Sequence, residues 1–273
     1  MNLLPTTLRH VLLASVAVLA TAGAPVIAAP LFTVNEGSVS GSTPNTFQAD
    51  RISFNYDGRI VQTINGGSLA GSDDPFTESG FLTKASYAVG GSAIPSQLNG
   101  FGAGGYGIYG IFNLAGEADP LAGGGIQANF TSGTLQLILD VNQNTTLGFV
   151  GNVATATGGT ADDIVLANMT LNVGEAHVFG GLANGDFDTI FNLTLTAAGQ
   201  ALFVAPNPFF PFENFGGNTQ TIAGASLTQS FVATATGAGT ELFLTAVPEP
   251  ATLALFGAGL FGLGLVRRRK TAP

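Results

Sequence analysis

The chain has 273 residues, 39 of them glycine, with no cysteine, no tryptophan and only 9% charged residues. Without cysteine it has neither disulfides nor a thiol nucleophile, and a net charge of −9 excludes the basic surface on which nucleic-acid binding relies. Frequent Thr, Val, Ile and Phe with scarce Lys, Glu and Arg favour strands punctuated by glycine over helices.

Arg9 and His10 precede an apolar stretch over 11–22, and small residues follow at Ala24, Ala28 and Ala29. That is the charged, hydrophobic and cleavage order of a secretory signal peptide. The apolar run is shorter than the roughly 20 residues of a spanning helix, and Gly23 and Pro25 interrupt it. Signal peptidase is expected to remove residues 1–28 by cutting between Ala28 and Ala29.

Apolar and polar residues then alternate in short segments. Ile52, Phe54 and Tyr56 lead into Asp57-Gly58, a turn dipeptide expected to join them to a strand over 59–64. Residues 66–80 read as a loop. Gly102, Gly104 and Gly107 satisfy G-x-G-x-x-G, but Gly110 and a strand-like run follow where a dinucleotide fold needs a helix, so a tight glycine loop beside Tyr106 and Tyr109 is the reading. Ile126, Ala128 and Phe130, then Leu135, Leu137 and Leu139, predict a hairpin turning at Ser132-Gly133. Strands are expected over 164–173, 176–179 and 191–196, a proline-broken loop over 206–217, and a last hairpin, 231–236 with 241–246, across Gly237-Ala238-Gly239. Together these predict an all-β fold: a single β-sandwich or jelly-roll-like domain over 29–247, flanked by an N-terminal signal helix and, over the apolar run near the end of the chain, a C-terminal transmembrane helix.

Candidate chemistry is sparse. Asp140-x-Asn142-x-Asn144 resembles the start of a calcium loop, yet Thr145 and Gly151 stand where an EF-hand needs Gly and Glu. Oxygen ligands for Ca2+ are left as weak candidates at Asp140, Asn142, Asp162 and Asp163, or at Asn184, Asp186 and Asp188, against solvated turns. His177 is the one histidine beyond the signal, no G-x-S-x-G elbow occurs, and no pair of carboxylates stands out, so no enzyme and no catalytic residue is expected. Asn129, Asn144, Asn168 and Asn192 open N-x-Thr acceptor patterns that are read as exposed faces. With no Trp, sugar stacking falls to Tyr56, Tyr87, Tyr106, Tyr109 and any exposed Phe; Phe209, Phe210, Phe212 and Phe215 read as a core plug or an association surface.

The end of the chain carries the strongest pattern. Pro248-Glu249-Pro250 precedes an apolar run over 251–266 and a basic stop, Arg267, Arg268, Arg269 and Lys270. Residues 248–273 resemble the PEP-CTERM signal read by exosortases. The resemblance implies export from a Gram-negative cell, a transient inner-membrane anchor whose basic end stays cytoplasmic, and processing at the tripeptide. Between the two ends, Arg51, Arg59 and Lys84 face sixteen acids, every Asp and Glu but Glu249, a net −13. Such a body repels nucleic acid and anionic membranes.

Three body segments add a second resemblance: Thr33-Val34-Asn35-Glu36-Gly37-Ser38-Val39; Gln97-Leu98-Asn99-Gly100-Phe101-Gly102 through Gly105-Tyr106-Gly107-Ile108-Tyr109; and Leu139-Asp140-Val141-Asn142-Gln143-Asn144-Thr145. They are similar to flocculation-associated PEP-CTERM proteins. This implies a non-enzymatic surface or extracellular-matrix protein that holds cells and exopolysaccharide together in flocs and biofilm, without a cofactor. The alternatives are a carbohydrate-binding module of the matrix or a secreted glycan-active enzyme.

Overall fold

The structure is a computed structural model, and it describes residues 30–69, 74–98 and 105–245. In chain order the elements are β1 (Phe32–Asn35), a 3-10 turn (Glu36–Ser38), β2 (Thr46–Ala49), β3 (Arg51–Gln62), β4 (Pro75–Val89), β5 (Ser92–Ala93), β6 (Gly107–Leu121) and β7 (Gly125–Asp140). There follow β8 (Thr146–Val150), β9 (Val153–Gly158), a 3-10 turn (Thr160–Asp162), β10 (Asp163–Val178), β11 (Gly185–Leu195), α1 (Ala197–Leu202), β12 (Phe203–Ala205), β13 (Phe212–Thr219), β14 (Thr221–Ala223) and β15 (Phe231–Thr245).

The all-β expectation holds, but the two-layered sandwich or jelly roll is corrected. One antiparallel sheet runs β13-β11-β10-β7-β6-β4-β3-β15, and β13 pairs β15 again from Phe212↔Thr245 to Gly216↔Glu241. The second pairing joins the ends of the sheet into a ring. Each long strand neighbours the next long strand in the chain, so the result is an up-and-down barrel without the long crossovers a Greek key requires. Closure also removes the exposed strand edges that an exported protein must otherwise guard.

Strand length makes this closure feasible. The sequence patterns at Asp57-Gly58, Ser132-Gly133 and Gly237-Ala238-Gly239 read as turns, yet β3, β7 and β15 each run straight through them. Gly58 faces inward, where a Cβ would sit 2.8 Å from Glu78 Oε1. At the other two places the pairing shifts register, between Ala115 and Gly116 opposite β7 and between Ala238 and Thr240 in β15. An extra residue in a bulge flips the alternation and mimics the phase change of a turn. The loops are likewise shorter than expected, since β4 begins at Pro75 and β13 at Phe212.

Alternate residues fill the interior. Phe54, Leu82, Phe112, Leu135, Met169, Phe191, Phe215 and Ala233 are all buried in one cluster, as a ring of eight strands allows, being just wide enough for side chains to pack. One end is capped by the small sheet β12-β1-β2 and by α1. The α1 N-terminus is set by Thr196, whose Oγ1 accepts from the Gly199 N–H at 3.1 Å. Phe32 packs from the cap against Tyr87, Phe203 and Phe209. At the opposite end Leu69, buried, donates its N–H to the Leu227 carbonyl and draws two loops together. The β8–β9 hairpin lies on the outer wall: the Ala154 N–H donates to Ser79 Oγ, Phe149 packs on Phe81, and the Arg59 guanidinium sits over the Phe149 ring.

Candidate functional site

The segments that carry the body resemblance meet at the capped end. Glu36, completely buried in its 3-10 turn, accepts from the Gln97 N–H at 2.8 Å, Gln97 Nε2 at 3.1 Å, Asn45 Nδ2 at 2.7 Å and Tyr106 Oη at 3.1 Å. The Tyr106 hydroxyl lies 3.3 Å from that of Tyr87. Burial, reinforced by the negative charge of Glu36, pushes both phenols far above their ordinary range. A carboxylate that already holds four donors is a structural clamp between β1, the loop before β6 and the barrel wall. It leaves no lone pair aimed at solvent chemistry.

The third segment closes the neighbouring rim. Asp140 and Asp163 are register partners across β7 and β10. Asp140 accepts from the Asn144 and Thr145 N–H groups, while Asp163 accepts from Thr145 Oγ1 at 2.8 Å and Tyr109 Oη at 2.7 Å. Asp162 accepts from the Asn142 N–H at 2.8 Å. The structure thus brings Asp140, Asn142, Asp162 and Asp163 together, as an Asx-type turn in which both oxygens of Asp140 and of Asp163 accept from protein donors. Asp186 and Asp188 lie apart from them on β11, with Asp186 Oδ1 2.9 Å from His177 Nδ1. Among the described residues no group of three or more His, Asp or Glu is placed to hold a metal ion.

Two buried carboxyls inside the barrel escaped the sequence reading. Glu78 receives the Tyr56 hydroxyl at 2.6 Å. Burial raises its pKa to about 7, against the lowering pull of that hydrogen bond. Glu213 is fully buried, neither oxygen has a hydrogen-bond partner, and burial drives its pKa well above the carboxylate range. It sits in apolar surroundings made by Phe32, Ile52, Leu137, Leu195, Phe209 and Leu242. The signal was present in the sequence: Glu78 is in phase with Phe76 and Leu82, and Glu213 with Phe215, on the faces that turn inward. Among the described residues, the cavities beside Glu78 and Glu213 hold about 50 Å³ or less, well short of the roughly 150 Å³ that admits a benzene-sized ligand.

The tyrosines expected to stack on sugars are all buried. Tyr56, Tyr87, Tyr106 and Tyr109 are at most 6% exposed, so none presents a ring face to a glycan. Asn168 and Asn192 are on the outer face as expected. A groove of about 570 Å³ runs between the β8–β9 hairpin and the wall, lined by Thr77, Ser79, Asn113, Ser132, Thr134 and Asn152. Its exposed lining is mostly apolar, with Leu114, Ala115 and Val153 among these hydroxyls and amides.

The signal cleavage pair Ala28 and Ala29, the sorting tripeptide Pro248, Glu249 and Pro250, and the basic stop Arg267, Arg268, Arg269 and Lys270 lie outside the described residues, as do Gly102 and Gly104. Among the described residues no helix is long and apolar enough to cross a membrane. Residues 246–270 match the PEP-CTERM protein-sorting motif. No curated protein and no solved structure matches the chain. The motif marks an exported surface protein that carries a C-terminal membrane-anchor sorting signal and is processed by exosortase.

Proposed function

We propose that this protein is a non-enzymatic adhesive component of the cell surface or extracellular matrix, which promotes cell aggregation by engaging exopolysaccharide after exosortase sorting. The observation that carries the reading is the sorting motif at 246–270, because it delivers a body of net charge −13 to the place where cells and polymer meet. The resemblance of the body to floc-associated proteins supports the finer role. So does the engagement of the acids at the capped end, where Glu36, Asp140 and Asp163 are spent on clamping backbone and hydroxyl donors. A general acid or nucleophile instead needs access to a substrate.

A second reading, a carbohydrate-binding module, is favoured by the groove beside the β8–β9 hairpin, where hydroxyls and amides stand among apolar groups. The buried tyrosines weigh against the stacking mode that such modules use. Incubating the processed protein, purified from culture, with the matrix polysaccharide tests both. Co-sedimentation without shortening of the polymer supports adhesion, loss of binding in a Thr134→Val/Asn152→Ala variant assigns it to the groove, and release of new reducing ends replaces the adhesive reading with an enzyme.

A further inference from the structure

Where the chain leaves the barrel constrains what lies beneath it. The last described residue, Thr245, is paired with Phe212 at the capped end. Five residues, 246–250, separate it from the apolar run that begins at Ala251. Whatever their conformation, chain geometry limits them to about 20 Å. As long as the tail is uncut, the capped end is held within that distance of the bilayer.

The surface at this exit differs from the rest of the acidic body. Residues 196–211, which form α1, β12 and the proline loop, contain no Asp, Glu, Lys or Arg, and neither do residues 30–35. Leu31 and Val204 are 44% and 41% exposed. The strand pairing of β1 with β12 brings their neighbourhoods together, through Thr33↔Ala205. Phe209 and Phe210, half-buried, pack edge to face at 5.5 Å, and Phe209 reaches Phe203 and Phe32. Phe210 and Pro211 immediately precede Phe212, the register partner of the exit residue.

We propose that, before the tail is cut, this apolar rim, free of charged side chains, rests on the membrane surface, with Leu31, Val204, Phe209 and Phe210 as the contact and zwitterionic lipid as the partner. Apolar side chains at the headgroup boundary gain from partial burial even without electrostatic attraction, and the body's negative charge turns the remaining surface away from anionic headgroups. Tethering raises the local concentration of the contact, so a weak patch suffices. The opposite end, with the loop between β14 and β15, points away from the cell and is the end presented to polymer.

The cysteine-free chain allows a direct test. Protein that lacks residues 1–28, keeps the uncut C-terminal tail and carries Val204→Cys or, at the far end, Gln229→Cys is labelled with an environment-sensitive fluorophore and inserted through its own C-terminal segment into phosphatidylcholine vesicles that contain no exosortase. A fraction of the lipid carries a quencher near the top of the acyl chain. The proposal expects a blue shift and strong lipid-dependent quenching at position 204, with neither at 229. Water-like emission at both positions overturns it, as does equal quenching at both, which would mean a barrel lying on its side. A blue shift at 204 without lipid quenching, but with energy transfer between copies that grows with protein density, assigns the rim to a second copy of this chain and equally overturns it.

Discussion

Glu36 and Tyr106, 70 residues apart in the chain, meet at 3.1 Å beneath the cap, where the carboxylate gathers donors from Asn45 and Gln97 as well. The pair ties the entry of the body to the residue that leads into β6, the third strand of the barrel wall. Removing the acceptor strands all of those donors in a dry site, whereas removing the phenol hydroxyl leaves the other three in place. Glu36→Ala is therefore expected to cost about 3 kcal/mol or more and Tyr106→Phe about 1 kcal/mol. Thermal unfolding followed by far-ultraviolet circular dichroism checks the order; equal, negligible shifts in midpoint contradict the clamp.

The interior carboxyls predict a stability that falls as pH rises. Both Glu78 and Glu213 hold their protons more tightly folded than unfolded, so the folded state binds more protons once the unfolded carboxyls ionise near their ordinary 4.5. The loss starts there. For Glu78 it is complete above about 7 and amounts to roughly 3 kcal/mol; for Glu213 it continues beyond that pH. Asp50, lowered because the Arg51 and Gly90 hydrogen bonds outweigh burial, acts oppositely and only at acid pH. Glu213→Leu is expected to raise the unfolding midpoint at pH 8 and to change it little at pH 4.5, since it removes a lone buried carboxyl from an apolar site. An equal shift at both pH values would remove Glu213 as the source.

Much of the strand content was legible because alternation survives in one sequence: the apolar residues of β3, β7 and β11, and Ala233 and Ala235 of β15, point as their spacing predicts. What the sequence concealed was continuity. Ser132-Gly133 and Gly237-Ala238-Gly239 carry turn chemistry, but in a barrel they mark bulges, and the two situations produce the same phase change along the chain. Only the register, Ala115↔Ser132 followed by Gly116↔Phe130, separates them. Ring closure by β13 against β15 is a contact between distant segments and has no local signature. The Asp140 turn was legible as a loop rich in Asp and Asn, whereas the role of Glu36 depends on partners supplied by Gln97 and Tyr106 from across the fold.

Calcium is expected to leave the protein unchanged. The oxygens of Asp140 and Asp163 are engaged by Asn144, Thr145 and Tyr109, and an ion would have to displace those donors before gaining ligands. Adding millimolar calcium should not move the unfolding midpoint. A rise that saturates with concentration would reveal a bound ion by mass action and reinstate Asp140, Asn142, Asp162 and Asp163 as ligands.

Sorting should require the tripeptide, and its loss should leave the barrel untouched. Replacing Pro248, Glu249 and Pro250 with alanine is expected to leave an uncut precursor in the inner membrane, its N-terminal signal removed at Ala28, with the same strand-dominated spectrum as the parent. Fractionation and mass measurement of the termini check this; normal appearance of a shortened chain outside the cell contradicts it.

The adhesive account is tested most directly by the aggregation of cells that lack the gene. Deletion is expected to disperse flocs while polysaccharide production continues, leaving the polymer soluble instead of cell-bound, and the full-length gene should restore aggregation where a version truncated before Pro248 does not. Normal flocculation of the deletion strain, or full rescue by the truncated version, would contradict the account.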